Sequence, residues 1–550
     1  MEKIYIRDAV YDEIPVYRDT EEPLINKWEL QRLRYIKQLQ LTYLVYPSAV
    51  HTRFEHSLGV MHIASDFINS ILENSPSLEA LKAEAGVPLV SDSAFQKMNR
   101  IIVRLASLLH DIGHGPLGHL FDEYVIPKIL GAEARKTLAD RCFSHEVIGF
   151  LIYWHRLREE IKQLLVKAGF GKYVEDMITW LDQIMIPLCR DPKTGVLIYH
   201  SEFNVSEQGY GYFLRMIVRD FLYPSDLLDY LIRDSKFSGA IELGMINRKR
   251  LIRYTTPVPV EHVLSRFSKE HLGKELELYK NIPTPILLMI DEKIIPDLIR
   301  FLDARRLMYE NVYLHRVIRA FGWSAIEILS DPEAWCYIGL SKNILPRVLL
   351  RPRDQGLVEA FLEEYLDLTD HVLMEIRGLV KRGVVKSKTI SNHVKSIFDY
   401  RKPMYKWLIG EIIPAIPRFT PGIRLSRRIR EYEEELVDFI SSNIEEWVKD
   451  YIRIGIEQIQ VFPNTAWNVQ GPHILIKIDR SIRLYSVEEF SLRYHLSNIG
   501  EVRLYTLRSL NKATKDKLRE IFLEKVKDNV EWRKKLEELV SFTTVSTITM

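Results

Sequence analysis

Long apolar runs, an excess of one charge and a cysteine framework are all missing from this 550-residue chain. No uninterrupted hydrophobic stretch is long enough to cross a bilayer. The opening Met1-Glu2-Lys3-Ile4 lacks the apolar centre of an export signal. A soluble, cytoplasmic protein with no membrane partner is the expectation. The 76 basic and 74 acidic residues leave a formal charge of +2, without the broad positive field of a protein that coats nucleic acid. Only Cys142, Cys189 and Cys336 occur, far apart and without CxxC spacing. They read as reduced thiols, so neither a thiolate zinc site nor a disulfide is expected. Against these absences, 47% hydrophobic residues supply a large core, and the length suggests more than one domain.

Most of the chain reads helical. Ile101, Ile102, Leu105, Leu108 and Leu109 recur with the 3.6 period of one buried helix face. Glu310–Ala320 and Glu431–Asp450 show a comparable polar and apolar mix, and Lys512–Leu539 reads as one or two charged amphipathic helices. Proline-rich stretches at Leu345–Gly356 and Ile413–Gly422 read as turns or boundaries. After Tyr451 the pattern changes: Ile474, Ile476 and Ile478 alternate, as do Ile482 and Leu484, and Val502 and Leu504, as strands of a small sheet do. The expected fold is mainly α with a small α+β C-terminal lobe, divided into residues 1–330 and 331–550.

Eight of the 16 histidines fall between His51 and His155. At their centre an apolar run ends in Leu109-His110-Asp111-Ile112-Gly113-His114-Gly115-Pro116. The glycines and proline let a helix end there and the chain turn close to an ion. An imidazole beside a carboxylate suits a borderline or hard divalent metal. His56, in Arg53-Phe54-Glu55-His56-Ser57, and Asp226, in Tyr223-Pro224-Ser225-Asp226, offer further ligands from other helices. Burying four ionisable groups without a metal would be costly.

The order H…HD…D, with Arg53–Val60 before it and His110–Pro116 at the pair, resembles the HD-domain phosphohydrolases. The closer likeness is to the deoxynucleoside triphosphate triphosphohydrolases, including the sterile-alpha-motif/HD-domain enzymes, although no sterile-alpha-motif segment is evident. Gln31–Leu39, Phe143–Glu146 and Asp229–Asp234 carry the same resemblance. It implies an HD-type helical core and a homo-oligomer. It also implies a dGTPase-like enzyme that hydrolyses deoxynucleoside triphosphates to deoxynucleoside and triphosphate. His56, His110, Asp111 and Asp226 would hold a divalent ion (Mn, Fe, Mg, Zn or Ni). His114, His119 and His145 would line the phosphate path, with His119 or His145 protonating the leaving alkoxide. Asp122 would orient His145 or take part in proton transfer. Arg53 would grip a phosphate oxygen. Gln38, Tyr230 and Asp234 would face the sugar, and His315 would approach from a later helix.

The chain departs from the animal pattern at several of these places. Leu227 stands where a phosphate-gripping Lys follows the last metal Asp, Asn311 where an Arg precedes the later His, and Arg319 where a Tyr follows it. Arg316 or Arg319 would have to substitute. Ile6–Asp12 differs from the segment that builds a nucleotide-activator site, and Asn26 replaces a guanine-reading Asp, although Gln31 and Arg34 match. Two alternatives therefore stand beside the triphosphohydrolase: a phosphomonoesterase or phosphodiesterase on other nucleotides, and a non-catalytic nucleotide- or nucleic-acid-binding regulator. The basic cluster Arg418, Arg424, Arg427, Arg428 and Arg430 reads as a solvated face balanced by Glu431 and Glu433–Glu435, or else as a polyanion contact.

Overall fold

The computed structural model describes residues 2–191, 194–266, 279, 282–421, 425–463, 467–471, 473–479 and 481–545. A hairpin of β1 (Lys3–Asp8) and β2 (Asp12–Tyr17) opens the chain. The helical core follows, with principal helices α1 (Arg53–Glu73), α2 (Asp92–Leu109), α3 (His145–Ile152), α4 (Val174–Met185), α5 (Tyr210–Val218) and α6 (Ser225–Ser238). The chain continues through β3 (Thr255–Pro259), β4 (Ile286–Asp291), α7 (Ile295–Met308), α8 (Arg316–Ser330) and α9 (Gln355–Leu366). The C-terminal lobe holds β5 (Tyr405–Ala415), β6 (Arg418–Pro421), α10 (Leu425–Asn443), β7 (Ile452–Ile459), β8 (His473–Ile478), β9 (Ser481–Ser486), β10 (Asn498–Leu507), α11 (Lys512–Leu523), α12 (Val530–Ser541) and β11 (Phe542–Val545). The fold is mainly α with a smaller α+β C-terminal region, as the sequence indicates.

Local chemistry sets the helices that matter for the site. Glu55 Oε2 accepts from the Thr52 backbone N–H at 2.9 Å, capping α1 three residues into the helix. Ser91 Oγ accepts from the Ala94 N–H at the start of α2. The apolar stripe Ile101, Ile102, Leu105, Leu108 and Leu109 is fully buried, and α2 lies alongside α1. Arg32 is 0% exposed and acts as a staple. Its guanidinium donates to the carbonyls of Ile112 (3.3 Å), His114 (2.8 Å), Leu366 (2.9 Å) and Leu368 (2.7 Å).

Several elements differ from the sequence reading. The 310–320 stretch is interrupted: a π-helical turn, Tyr309–Tyr313, ends at Leu314, and His315 caps a new helix. Of the proline-rich stretch Ile413–Gly422, the described residues 413–421 are largely strand. Pro414 is tolerated there because β5 is an edge of the antiparallel sheet β5-β10-β7. Two further strands, β3 and β4, lie in a region that reads helical. They join β8 and β9 in one sheet of order β3-β4-β8-β9, with β4 parallel to β8. The expectation of three reduced thiols is also corrected. The fold brings the Cα atoms of Cys142 and Cys189 to 5.9 Å and a disulfide joins them across 47 residues, whereas Cys336 is free. Among the described residues no helix is long and apolar enough to cross a membrane.

Buried charge ties α8 and α10 to the C-terminal sheet. Arg319 on α8 donates to Glu457 on β7 at 2.6 Å, and Glu433 on α10 accepts from the Ile456 N–H at 2.8 Å. Burial, with the Glu457 charge beside it, pushes the Glu433 carboxyl up to about 8, against the opposing effects of Ile456, Arg319 and Arg430. The folded state therefore binds a proton that the unfolded chain loses near its ordinary carboxyl value. This contribution to stability is complete below about pH 4.5 and declines as pH rises to about 8, by at most about 1.4 kcal/mol per pH unit. Glu433→Gln should raise the thermal midpoint at pH 8 more than at pH 5. An equal change at both pH values would remove Glu433 as the titrating group.

Candidate metal centre and phosphate path

Four side chains from three places in the chain converge. His56 sits in the first turn of α1, His110 caps the end of α2, Asp111 follows it, and Asp226 lies in the first turn of α6. His56 Nε2 is 3.2 Å from His110 Nε2 and 3.0 Å from Asp226 Oδ1, while His110 Nε2 is 3.6 Å from the same oxygen. Asp111 closes the group, with Oδ1 at 3.4 Å from His110 Nε2 and Oδ2 at 3.9 Å from His56 Nε2.

The outer nitrogens decide what this group wants. His56 Nδ1 donates to the Asp229 carboxylate at 2.8 Å, and His110 Nδ1 to the Ser107 carbonyl at 2.7 Å. Each neutral imidazole then turns a bare Nε2 lone pair inward. Two such lone pairs at 3.2 Å between two carboxylates need a cation between them. Burial pulls the His56 imidazole down, yet its bonds to Asp226 and Asp229 raise it to about 10, so a proton takes that role when no metal does. Burial alone would raise Asp111, but His110, Arg53 and His114 hold it well below the usual carboxylate range. The donor set of two imidazoles and two carboxylates fits a divalent metal, and its chemistry does not choose which. Gly59 makes the α1–α6 approach close enough, since a Cβ there would fall 1.9 Å from Asp229 Oδ1.

A second cluster shares Asp111. One donor atom from each of Asp111, His114 and His145 lies within 4.8 Å of the others. His114 and His145 stack with ring centroids 3.7 Å apart, and His114 Nε2 is 3.4 Å from Asp111 Oδ1. His119 stands edge-on to both, at 5.1 and 5.2 Å. Gly113 permits this packing, because a Cβ would fall 2.0 Å from the His145 carbonyl oxygen. Asp122 is buried and, among the described residues, neither of its carboxylate oxygens has a hydrogen-bond partner; His145 Nδ1 is 3.6 Å away and His114 Nδ1 3.9 Å. Burial pulls His145 down, but Asp122, Glu146 and Asp111 lift it above its ordinary value. Burial and the Arg53 and His145 charges push the stacked His114 well below. Two adjacent imidazoles are thus shifted in opposite directions. Arg53 bonds Asp111 Oδ2 at 2.5 Å through Nη1, while its buried Nε is unpartnered.

Gln38, Asp234 and Tyr230 belong to one connected patch. The Gln38 backbone N–H donates to the His51 carbonyl at 3.0 Å. His51 Nε2 is 2.7 Å from Asp234 Oδ1, the Tyr313 hydroxyl donates to Asp234 Oδ2 at 2.8 Å, and Tyr313 meets Tyr230 edge-on at 6.0 Å. The Gln38 Oε1 is buried without a partner among the described residues. His315 lies at the start of α8, where Nδ1 accepts from the Val317 N–H, and its ring is edge-on to Tyr46 at 6.0 Å. No hydrogen bond joins it to the Asp234 patch among the described residues. The two cations that could replace those missing at Leu227 and Asn311 are engaged elsewhere: Arg319 with Glu457, and Arg316 over the Trp407 ring at 4.8 Å. In the basic cluster, Arg430 donates to the Glu123 carbonyl and Arg428 lies over Phe542 at 5.7 Å. Arg424 lies outside the described residues.

Sequence reasoning missed Asp229 and the pairing of His51. Asp229 had a readable signal, because positions three apart on a helix share a face with Asp226. His51 had none, since its partner is 183 residues away.

The helical core and its His, His-Asp, Asp quartet point to a class: residues 53–186 match the HD domain, and the chain resembles the HD-domain phosphohydrolases. Within that class it resembles the deoxynucleoside triphosphate triphosphohydrolase SAMHD1. It is 29% identical to the Homo sapiens protein over 514 residues, which span 88% of this chain and 69% of that one. It is 24% identical to the Mus musculus protein over 442 residues, 76% of this chain and 58% of that one. An uncharacterised protein of Methanocaldococcus jannaschii is 31% identical over 315 residues, 57% of this chain and 46% of that protein. The chain thus spans about half the length of several of the relatives it matches. Among solved structures, a phosphohydrolase from Bacteroides thetaiotaomicron aligns at TM-score 0.53 and 21% identity, covering 92% of this chain and all of that one. At that identity it shows the fold alone.

Proposed function

We propose that the chain hydrolyses deoxynucleoside triphosphates at the α-phosphate, giving a deoxynucleoside and triphosphate. The observation that carries the reading is Asp111, whose Oδ1 stands 3.4 Å from His110 Nε2 in the metal group and 3.4 Å from His114 Nε2 in the His114–His145 pair. That substrate is also the one in the names of the mouse and human relatives.

A divalent ion held by His56, His110, Asp111 and Asp226 supplies a Lewis acid that offsets phosphate charge and activates water. The chain's own groups do the rest. Arg53, with a free buried Nε, stabilises charge developing on a phosphate oxygen. His145, kept protonated beside Asp122, donates its proton to the departing 5′-oxygen. His114, held neutral, accepts hydrogen bonds on the same path. His119 lines the path at its more exposed side. The buried Gln38 Oε1, together with Asp234 and Tyr230, takes up the sugar, and His315 approaches the nucleotide from α8. A cytoplasmic nucleotide pool is the setting this reading requires, although the Cys142–Cys189 bond removes the reduced-thiol ground for expecting it.

One observation favours a second reading, a phosphohydrolase on a nucleotide with fewer phosphates. Leu227 and Asn311 supply no charge, and Arg316 and Arg319 are committed to Trp407 and Glu457. Purified protein incubated with each dNTP and Mn²⁺ separates the two. Triphosphate as the product supports the first, orthophosphate the second, and binding without turnover removes both.

A further inference from the structure

The N-terminal hairpin reaches the metal centre from behind. Its turn, Asp8–Asp12, is folded by its own side chain: Asp8 Oδ1 accepts from the N–H groups of Val10 (2.8 Å) and Tyr11 (2.9 Å). Asp12 follows with φ +64°. The turn is fastened to α6 through Asp8 Oδ2, which accepts from Arg233 Nη1 at 2.8 Å, and through Lys236, which donates to the Ala9 carbonyl. This frame presents Tyr11, whose ring lies against the guanidinium groups of Arg233 (5.6 Å) and Arg248 (5.0 Å) and beside His62 (5.0 Å). Its hydroxyl donates to Asp229 Oδ1 at 2.7 Å.

Asp229 is the carboxylate that orients His56. Its Oδ2 accepts from His56 Nδ1 at 2.8 Å and from Arg233 Nε at 2.9 Å, while its Oδ1 accepts from Tyr11 and, at a longer 3.2 Å, from Arg233 Nη2. Arg233 therefore competes for both oxygens. A guanidinium facing a carboxylate favours two parallel short bonds. Here the two bonds are present but unequal, 2.9 Å to Oδ2 and 3.2 Å to Oδ1, and Asp8 engages the same guanidinium. The Tyr11 hydroxyl makes the shorter bond to Oδ1, at 2.7 Å, and pins that oxygen while Oδ2 faces His56.

We infer that Tyr11 is a positioning residue for metal binding, and that docking of the Asp8–Asp12 turn and occupancy of the metal centre are coupled. The inference rests on the metal reading of His56, His110, Asp111 and Asp226. Removing the hydroxyl takes away the shortest bond to Oδ1 and leaves the longer Arg233 bond as its restraint, so the carboxylate is free to tilt and the His56 ring loses a fixed acceptor. Binding free energies are reciprocal, so metal uptake tightens the turn to the extent that the turn favours metal.

Mn²⁺ affinity of the metal-free full chain, measured by chelator competition and by paramagnetic resonance of free Mn²⁺, tests this beside Tyr11→Phe. The phenyl ring keeps its place between the arginines. The variant should bind Mn²⁺ about 10-fold more weakly, the low end of the range for groups that orient metal-bound histidines. Circular dichroism should report an unchanged metal-free fold. On the unsubstituted chain, amide exchange at Val10 and Tyr11 should slow when Mn²⁺ is added. Equal affinities in the two proteins, or exchange in the turn indifferent to Mn²⁺, overturns the coupling. If the unsubstituted chain takes up no Mn²⁺, the failure belongs to the metal centre and not to Tyr11.

Discussion

Asp226→Asn is expected to leave a folded protein that binds metal more than about 100-fold more weakly and turns over no nucleotide, because even groups one layer behind the ligands are worth 10–100-fold. Asp226 is the quartet member best suited to the test. Its side chain is 30% exposed, and its partners in the site are the two imidazoles. Asparagine keeps the shape and removes the charge that faces them. The same change at Asp111 would be ambiguous. Asp111 is the ion-pair partner of Arg53, which is itself buried, and stranding such a charge costs about 3–5 kcal/mol of stability. Metal content by elemental analysis, read with turnover and the thermal midpoint, decides the matter. A fully active, metal-loaded Asp226→Asn protein would end the four-ligand proposal.

His145→Gln should lower kcat by about 10²–10⁴-fold on a deoxynucleoside triphosphate, the span usual for a lost general acid. The loss should shrink greatly on p-nitrophenyl triphosphate, whose phenolate departs without a proton. The pH profile carries the sign. Asp122 and its neighbours raise His145 against the effect of burial, so it keeps its proton to higher pH than an ordinary imidazole, and activity that needs that proton falls as pH rises through the raised value. The variant should lose this alkaline decline. Equal losses on both substrates would assign His145 to binding, and His119 would become the candidate acid. His114 is a poor alternative because its imidazole is held neutral.

Much of the centre is legible in the chain because its residues are local. His110 and Asp111 are adjacent, His56 and Asp226 each sit in a first helical turn, and the glycines that permit close approach, Gly59 and Gly113, each lie in a short motif that carries a ligand. What depends on distant partners is not legible. Asp234 reads as a sugar contact, and only the fold shows the partners that orient it, His51 and Tyr313, one from each side of the sequence. Arg319 reads as a spare cation for phosphate, and only the fold of β7 shows that Glu457 claims it. The strand β4, Ile286–Asp291, is six residues long, mostly apolar and without alternation, a pattern shared by buried strands and short helices alike. Its partner β3 contains two prolines that suggest a turn, and the parallel neighbour β8 lies far along the chain. The Cys142–Cys189 bond is of the same kind, since spacing alone carries no sign of it.

Arg32 has a consequence for anyone who would shorten the protein. A guanidinium sealed from water keeps its charge only while every donor finds an acceptor. Two of its four oxygens, those of Leu366 and Leu368, come from beyond the segment that carries the metal ligands. A fragment ending near residue 330 would strand that cation in oil, and the loop from Ile112 to His114 would lose the clasp that shapes it. The catalytic loop and the later helix at this joint are therefore one mechanical part, and must be inherited together.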